Sequence, residues 1–145
     1  MRTKEFISRL DHDRIVEAIK KAEAKTSGEI RVYIQRGKLS DDPLVVAQQR
    51  FQRLEMHNTR ERNGVLIFIA PRTHQFAVVG DEAIHQKCGE ILWQSVVGKM
   101  RDHFRGERFS DAIVDAVHDV GAVLAEHFPR SEIDRNELPD SVTEE

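Results

Sequence analysis

The chain has 145 residues, of which 39% are apolar and 32% are charged, and its formal net charge at pH 7 is −3. These values are typical of one globular domain with an ordinary hydrophobic core, and they exclude a disordered or fibrous chain. Acidic and basic residues are mixed along the chain, which argues against nucleic acid as a partner, because that function needs a one-sided basic surface.

The sequence also argues against secretion and membrane insertion. Its first residues contain no apolar segment of the length that a signal peptide requires. The longest apolar run, residues 65–70, is far shorter than the about 20 residues that cross a bilayer. Cys88 is the only cysteine, so the chain can form neither an internal disulfide nor a cysteine-based zinc site. We therefore expect a cytoplasmic protein without a membrane segment.

The first third of the chain predicts a helix, a strand and a second helix. Asp11 or Ser8 can cap the first helix, whose apolar face carries Ile15, Ala18, Ile19 and Ala22. Residues 29–35 alternate between polar and apolar, as a half-buried strand does. Asp42 followed by Pro43 is a typical helix start, and this helix carries an apolar stripe formed by Leu44, Ala47, Phe51 and Leu54.

The middle of the chain predicts two strands that fold back on each other. Residues 65–70 are apolar on both faces, which indicates a central strand covered by helices on both sides. A strand, a helix and a strand form a right-handed parallel crossover, so this strand should be parallel to residues 29–35. The strand at residues 75–79 follows too closely for another crossover, so it must be antiparallel to its predecessor.

Two long helices complete the predicted elements. The first has a stripe formed by Ile84, Cys88, Ile91, Leu92, Val96, Met100 and Phe104. Gly89 and Gly98 weaken this pattern, and we expect a break near Gly98. Ser110 is predicted to cap the last helix, which ends at Pro129 and turns inward Ile113, Val117, Val120, Leu124 and Phe128.

The predicted fold class is therefore α/β. We expect a three-layer α/β/α sandwich with a small mixed β-sheet, formed by a parallel crossover plus an antiparallel hairpin and flanked by helices. Residues 1–129 should form this domain. Residues 130–145 are acidic and lack periodicity, so we expect a C-terminal tail that is extended or loosely attached.

Three polar positions should meet at one edge of this sheet. Glu29 begins the first strand and Asn63 precedes the strand parallel to it, whereas Asp81 follows the antiparallel strand and so returns to the same edge. Carboxylate and carbonyl oxygens are the ligands that hard cations such as Ca²⁺ and Mg²⁺ prefer. Glu82 and Asp111 are candidates for additional carboxylate ligands. The sequence therefore predicts a divalent-cation site at this edge.

Two alternatives to this site remain open. In the first, Asp81 only caps the following helix, Glu29 is a surface charge at a strand end, and Asn63 is a turn residue. In the second, the ligand site is formed by Asp41 and Asp42 at the opposite end of the first strand, because ligands often bind beyond the carboxyl ends of parallel strands.

Several segments also carry a family resemblance. They are Thr26–Val32, Arg62–Ile67, Phe76–Asp81, Trp93 and Phe104–Phe109. Their order and spacing resemble the TPM domain family, a group of thylakoid-lumen and bacterial proteins. The resemblance spans residues 10–129 and continues through residues 134–140, as in the soluble single-domain bacterial members.

This resemblance implies an α/β sandwich that binds divalent cations, particularly calcium, and has weak acid phosphatase activity. If the phosphatase activity is present, Arg62 or Arg105 would hold the phosphate beside the cation, since a guanidinium matches phosphate oxygens. The sequence offers no evident nucleophile or general base. We therefore rank a cation-binding module first, an interaction domain with a protein partner second, and a metal-assisted phosphatase last.

Overall fold

The computed structural model describes residues 1–130 and the backbone of residues 142–144. The elements, in chain order, are α1 (Thr3–Ser8), α2 (His12–Glu23), β1 (Glu29–Ile34), α3 (Pro43–Arg53), β2 (Gly64–Ala70), a 3-10 turn (Pro71–Thr73), β3 (Gln75–Gly80), α4 (Glu82–Arg105), α5 (Phe109–His127) and β4 (Val142–Glu144). Most of the tail predicted at residues 130–145, including the resembling segment at residues 134–140, lies outside the described residues.

The strands form one mixed sheet in the order β3-β2-β1-β4. β1 and β2 are parallel, with Glu29 opposite Gly64, and β2 and β3 are antiparallel, with Val65 opposite Gly80. This arrangement confirms the predicted crossover and hairpin. β4 adds a parallel strand beside β1, which the sequence did not predict.

Helices cover both faces of the sheet. On one face, β1, β2 and β3 pack against α1, α2, α4 and α5; on the other, they pack against α3. Every residue of β1 is buried, so the prediction that this strand is half-buried was wrong. Glu29 and Arg31 alternate with apolar residues and therefore belong to the α3 face. Because α3 and the loop after it cover that face, these polar side chains are not in solvent.

A cluster of rings joins the N-terminus to the rest of the domain. The ring of Phe104 lies 5.5 Å from that of Phe6, 4.9 Å from His74, 5.2 Å from Phe76 and 4.7 Å from Phe109, measured between centroids. These residues come from α1, the hairpin turn, β3, α4 and α5. Helix α1, which the sequence did not predict, is held here because Phe6 is buried against this cluster.

Two details of the helices differ from the predictions. Asp11 and Asp42 cap α2 and α3 as expected, but Ser110 does not cap α5. It lies inside the first turn of that helix, where its Oγ accepts a hydrogen bond from the backbone N–H of Asp11 at 2.9 Å. Ile91 was expected in the apolar stripe of α4, yet it is 84% exposed. The stripe fails there because the helix is kinked at Gly89.

The kink in α4 is at Gly89, whereas the sequence predicted a break near Gly98. Gly89 has φ 73° and ψ 179°, which only glycine adopts at low cost. We expect Gly89→Ala to lower the free energy of unfolding by about 1–3 kcal/mol because alanine is strained in this conformation. Gly98 is helical, and outside its own helix backbone no atom of the described residues lies within 4 Å of where a Cβ would be placed, so Gly98→Ala should raise stability by about 0.5–1 kcal/mol. Urea unfolding measures both, and a stabilising Gly89→Ala would contradict the kink.

Candidate functional site

The three predicted polar positions lie at the same edge of the sheet. Glu29 pairs with Gly64, and the backbone N–H of Asp81 donates to the carbonyl oxygen of Gly64 at 2.9 Å. Asn63 directly precedes Gly64. All three polar residues are buried. The convergence predicted from the strand directions is therefore present, and each side chain is part of a packed environment.

The Asp81 carboxylate forms several charged hydrogen bonds. It accepts hydrogen bonds from Arg62 Nε at 2.8 Å and Nη2 at 2.9 Å, and from the backbone N–H of Glu82 at 2.8 Å. Asp81 therefore caps α4 and forms a bidentate ion pair with Arg62. The side chain of Asp81 is 6% exposed, whereas that of Arg62 is 40% exposed. The hydrogen bond with Asp81 raises the pKa of Arg62.

Arg62 is also fixed by its backbone. It has φ 53°, an uncommon value for a residue with a side chain, and its carbonyl oxygen accepts a hydrogen bond from the N–H of Ala83 at 3.1 Å. Its Nη1 lies 3.4 Å from the carboxylate of Glu82, which is 63% exposed. Arg62 therefore already has carboxylate partners, which differs from the predicted role of holding a phosphate.

A second hydrogen-bonded group surrounds Asn63. Ser27 Oγ donates to Glu61 Oε2 at 2.7 Å, and Asn63 Nδ2 donates to Ser27 Oγ at 3.0 Å and to Glu61 Oε2 at 3.4 Å. Ser27 and Glu61 were not predicted as site residues. Glu61 stands two residues before Asn63, and this spacing in the loop before β2 is the sequence signal that would have identified it.

Asp111, the further carboxylate predicted for this site, lies away from this edge. It pairs with Arg14 at 2.8 Å at the start of α2. Helices α2 and α5 run side by side in the same direction, and the far end of α5 approaches the sheet edge where Thr26 Oγ1 donates to the carbonyl oxygen of Leu124. The helical rise from Asp111 to Leu124 places Asp111 about 20 Å away from this edge.

Arg105 is also remote. It ends the 24-residue helix α4, whose start is capped by Asp81, and its side chain is 75% exposed. The neighbouring Phe104 packs on Phe76, which lies near the beginning of β3. Arg105 therefore lies at the opposite end of the hairpin from Asp81, too far away to hold a phosphate beside a cation there.

Other candidate ligands have structural partners. Asp42 accepts a hydrogen bond from the N–H of Leu44, and Asp41 accepts one from the N–H of Asp42. His85, in the first turn of α4, also has a partner, because its Nδ1 accepts a hydrogen bond from Trp93 Nε1 at 3.1 Å. Within residues 1–130, no three histidine, cysteine, aspartate or glutamate side chains are close enough together to form a metal-binding group. A cation at this edge would therefore also need amide, hydroxyl or backbone oxygens.

No helix in the described part of the chain is both long and apolar enough to cross a membrane.

Comparison with known proteins identifies the family. A model of the TPM domain matches residues 1–123. The chain is similar to the BA42 protein of the psychrophilic bacterium Bizionia argentinensis, at 33% identity over 92% of each chain, and its NMR structure superposes with a TM-score of 0.84. The N-terminal domain of the cg2496 protein of Corynebacterium glutamicum shares the fold at 16% identity, over 88% of this chain and 80% of that chain, with a TM-score of 0.62. No curated protein matches the chain. The extent of the family match and the identity to BA42 over nearly the whole length show that the chain belongs to the TPM domain family.

Proposed function

We propose that this domain binds a divalent cation, Ca²⁺ or Mg²⁺, at the sheet edge formed by Glu29, Asn63 and Asp81. The observation that supports this proposal is the strand register, which brings oxygen-bearing side chains from three separate segments to one edge. Glu61 and Glu82 add carboxylates to the same surface. Oxygen donors of this kind suit hard cations.

Arg62 determines how strongly the cation binds. Its guanidinium already neutralises Asp81, so an incoming cation competes with it for that carboxylate. Arg62 is partly exposed and has Glu82 as an alternative partner at 3.4 Å, so it can leave Asp81 without losing every charged contact. The ion pair must break for the cation to bind, and we therefore expect weak binding in the native protein.

Removing the competing charge should strengthen binding. Arg62→Gln keeps a polar side chain but removes the positive charge, and we expect it to bind Ca²⁺ at least about tenfold more tightly, a difference of about 1.4 kcal/mol. The measurement is an amide NMR titration of the chelator-stripped protein with Ca²⁺ and then Mg²⁺. Saturable shifts should cluster at residues 27–30, 61–64 and 80–85. Arg105→Gln, at the far end of α4, is the matched control and should leave the affinity unchanged.

Two results would contradict this proposal. If neither the native protein nor Arg62→Gln shows saturable shifts at millimolar cation, the edge is not a cation site. If the shifts cluster at Asp41 and Asp42 instead, the site is at the opposite end of β1.

A phosphatase function has weaker support. Arg62 is bound to Asp81, Arg105 lies at the far end of the hairpin, and Ser27 and Ser110 are hydrogen-bonded to Glu61 and Asp11 without a histidine base. A generic phosphomonoester assay with and without Mg²⁺ tests it, because true activity must depend on the cation and disappear in a folded Asp81 variant.

A further inference from the structure

A groove of about 510 Å³ runs along the outer edge of β3. β3 is the end strand of the sheet, so among the described residues this edge has no neighbouring strand. Helix α3 supplies one wall and α4 supplies the other. The lining residues used below are Leu44, Glu90, Trp93, Val97 and Arg101. The groove lies outside the hydrogen-bonded group around Asp81 and Asn63.

The floor of the groove presents unpaired backbone groups. The hydrogen bond from Asp81 N–H to the carbonyl oxygen of Gly64 shows which opposite residues of β2 and β3 are hydrogen-bonded to each other. In an antiparallel pair of strands, every second residue directs its backbone N–H and C=O groups away from the partner strand. In β3 these residues are Phe76, Val78 and Gly80. Among the described residues, these three have no backbone partner on that side. They require another strand or water.

This edge carries no protection against strand pairing in its own sequence, but helices flank it, and Phe76 and Val78 are only 5% and 3% exposed. Exposed edge strands commonly carry lysine, proline or a bulge. Residues 75–80 contain neither charge nor proline, and their pairing with β2 is continuous from Gln75 to Gly80. Access is limited instead by the walls that α3 and α4 form. A second copy of the domain has the same walls, so two β3 edges cannot approach each other, whereas a single extended segment can enter.

We propose that this groove binds an extended peptide segment of a partner protein, which adds to β3 as a fifth strand. In this type of recognition the main-chain hydrogen bonds supply affinity and the side-chain pockets supply specificity. The span from Phe76 to Gly80 is about 13 Å, which corresponds to about five residues of the partner. Trp93 and Val97 make the α4 wall apolar, so the segment should carry apolar residues at the alternate positions that face this wall.

The charges at the two ends of the groove indicate which charged residues the bound peptide segment should carry. Arg101 lies one helical turn before Phe104, whose ring packs on Phe76, so it marks the beginning of β3. Arg101 makes no ion pair within residues 1–130. Glu90 lies at the opposite end, near Trp93, which packs on Gly80. The segment should therefore carry an acidic residue at the Arg101 end and a basic residue at the Glu90 end.

Two short synthetic peptides test this inference. Capped Lys-Thr-Val-Thr-Val-Thr-Asp and capped Asp-Thr-Val-Thr-Val-Thr-Lys keep both charges and both valines on the face toward α4, and they place the acidic residue beside Arg101 in the antiparallel and parallel directions, respectively. One of them should bind saturably, with a change in the fluorescence of Trp93, the single tryptophan. At saturation, hydrogen exchange of the Phe76, Val78 and Gly80 amides should slow by at least about tenfold because these groups become paired.

A matched pair of charge reversals on α4 gives the control. Arg101→Glu should lower the affinity for the peptide at least about tenfold. Arg105 lies one turn further along α4 and outside the groove lining, so Arg105→Glu should change the affinity less than about twofold. The proposal is overturned if neither peptide binds at about 5 mM, if the three amides are not protected, or if both reversals have the same effect. Concentration-dependent protection without peptide would overturn it in favour of a second copy.

Discussion

Replacing Phe104 with alanine should lower the free energy of unfolding by about 3–5 kcal/mol, the cost of truncating a buried phenylalanine. The effect is large because this ring contacts the aromatic rings of four residues from separate parts of the chain, namely Phe6, His74, Phe76 and Phe109. Truncation would leave a cavity between α1, β3, α4 and α5. Urea unfolding should show a lower midpoint with an unchanged slope if only stability is affected.

Two further variants separate the ring contacts from general helix effects. Phe104→Leu keeps most of the apolar volume and should cost only about 1–2 kcal/mol. Ile91→Ala removes an apolar side chain from the same helix, but Ile91 is largely exposed, so the change should be within about 0.5 kcal/mol. Equal losses in Phe104→Ala and Ile91→Ala would show that the aromatic cluster does not hold the domain together.

Asp81→Ala should be the second most damaging change, lowering the free energy of unfolding by about 2–3 kcal/mol. One contribution is the lost cap of α4, typically about 1 kcal/mol. Another is the lost charged hydrogen bonds with Arg62, about 1.5–3 kcal/mol. We expect the contribution of the Arg62 hydrogen bonds to lie near the lower end of this range, because the Arg62 side chain is 40% exposed and can be solvated by water. Chemical denaturation measures the sum, and hydrogen exchange at the Glu82 amide measures the loss of the cap.

Glu82→Gln is the matched control for Asp81→Ala. Glu82 also contacts Arg62, but at 3.4 Å and with its side chain 63% exposed. An exposed pair of this kind contributes less than about 0.5 kcal/mol. Equal losses of stability in Asp81→Ala and Glu82→Gln would contradict this prediction. They would show that the buried position of Asp81 does not strengthen its interaction with Arg62. Asp81→Ala should also remove the Ca²⁺ response, since it deletes the central proposed ligand.

The layer order and strand directions were predictable because local signals decided them. The apolar run of β2 needs cover on both faces, the short turn before β3 allows only a hairpin, and Asp42 with Pro43 begins α3 as expected. These three facts were enough to predict that Glu29, Asn63 and Asp81 share one edge. Strand direction alone determines that convergence, so side-chain detail was not needed.

What the sequence could not predict depends on contacts between distant segments. Asp111 lies far from the edge because α5 runs in the same direction as α2, a relation that no local pattern encodes. The partner of Asp81 was missed for a related reason, since Arg62 reaches it only when the hairpin closes. Gly89 and Gly98 look alike in sequence, yet of the two only Gly89 has a positive φ, 73°.

The first 30 residues find their tertiary partners late in the chain. Phe6 contacts Phe104 and Phe109, the backbone of Asp11 donates to Ser110, and Thr26 donates to Leu124. During synthesis the N-terminal region therefore emerges long before the residues that bury it. Until α5 leaves the ribosome, the apolar face of β1 and β2 has only part of its cover, which is the condition under which nascent chains aggregate or recruit chaperones.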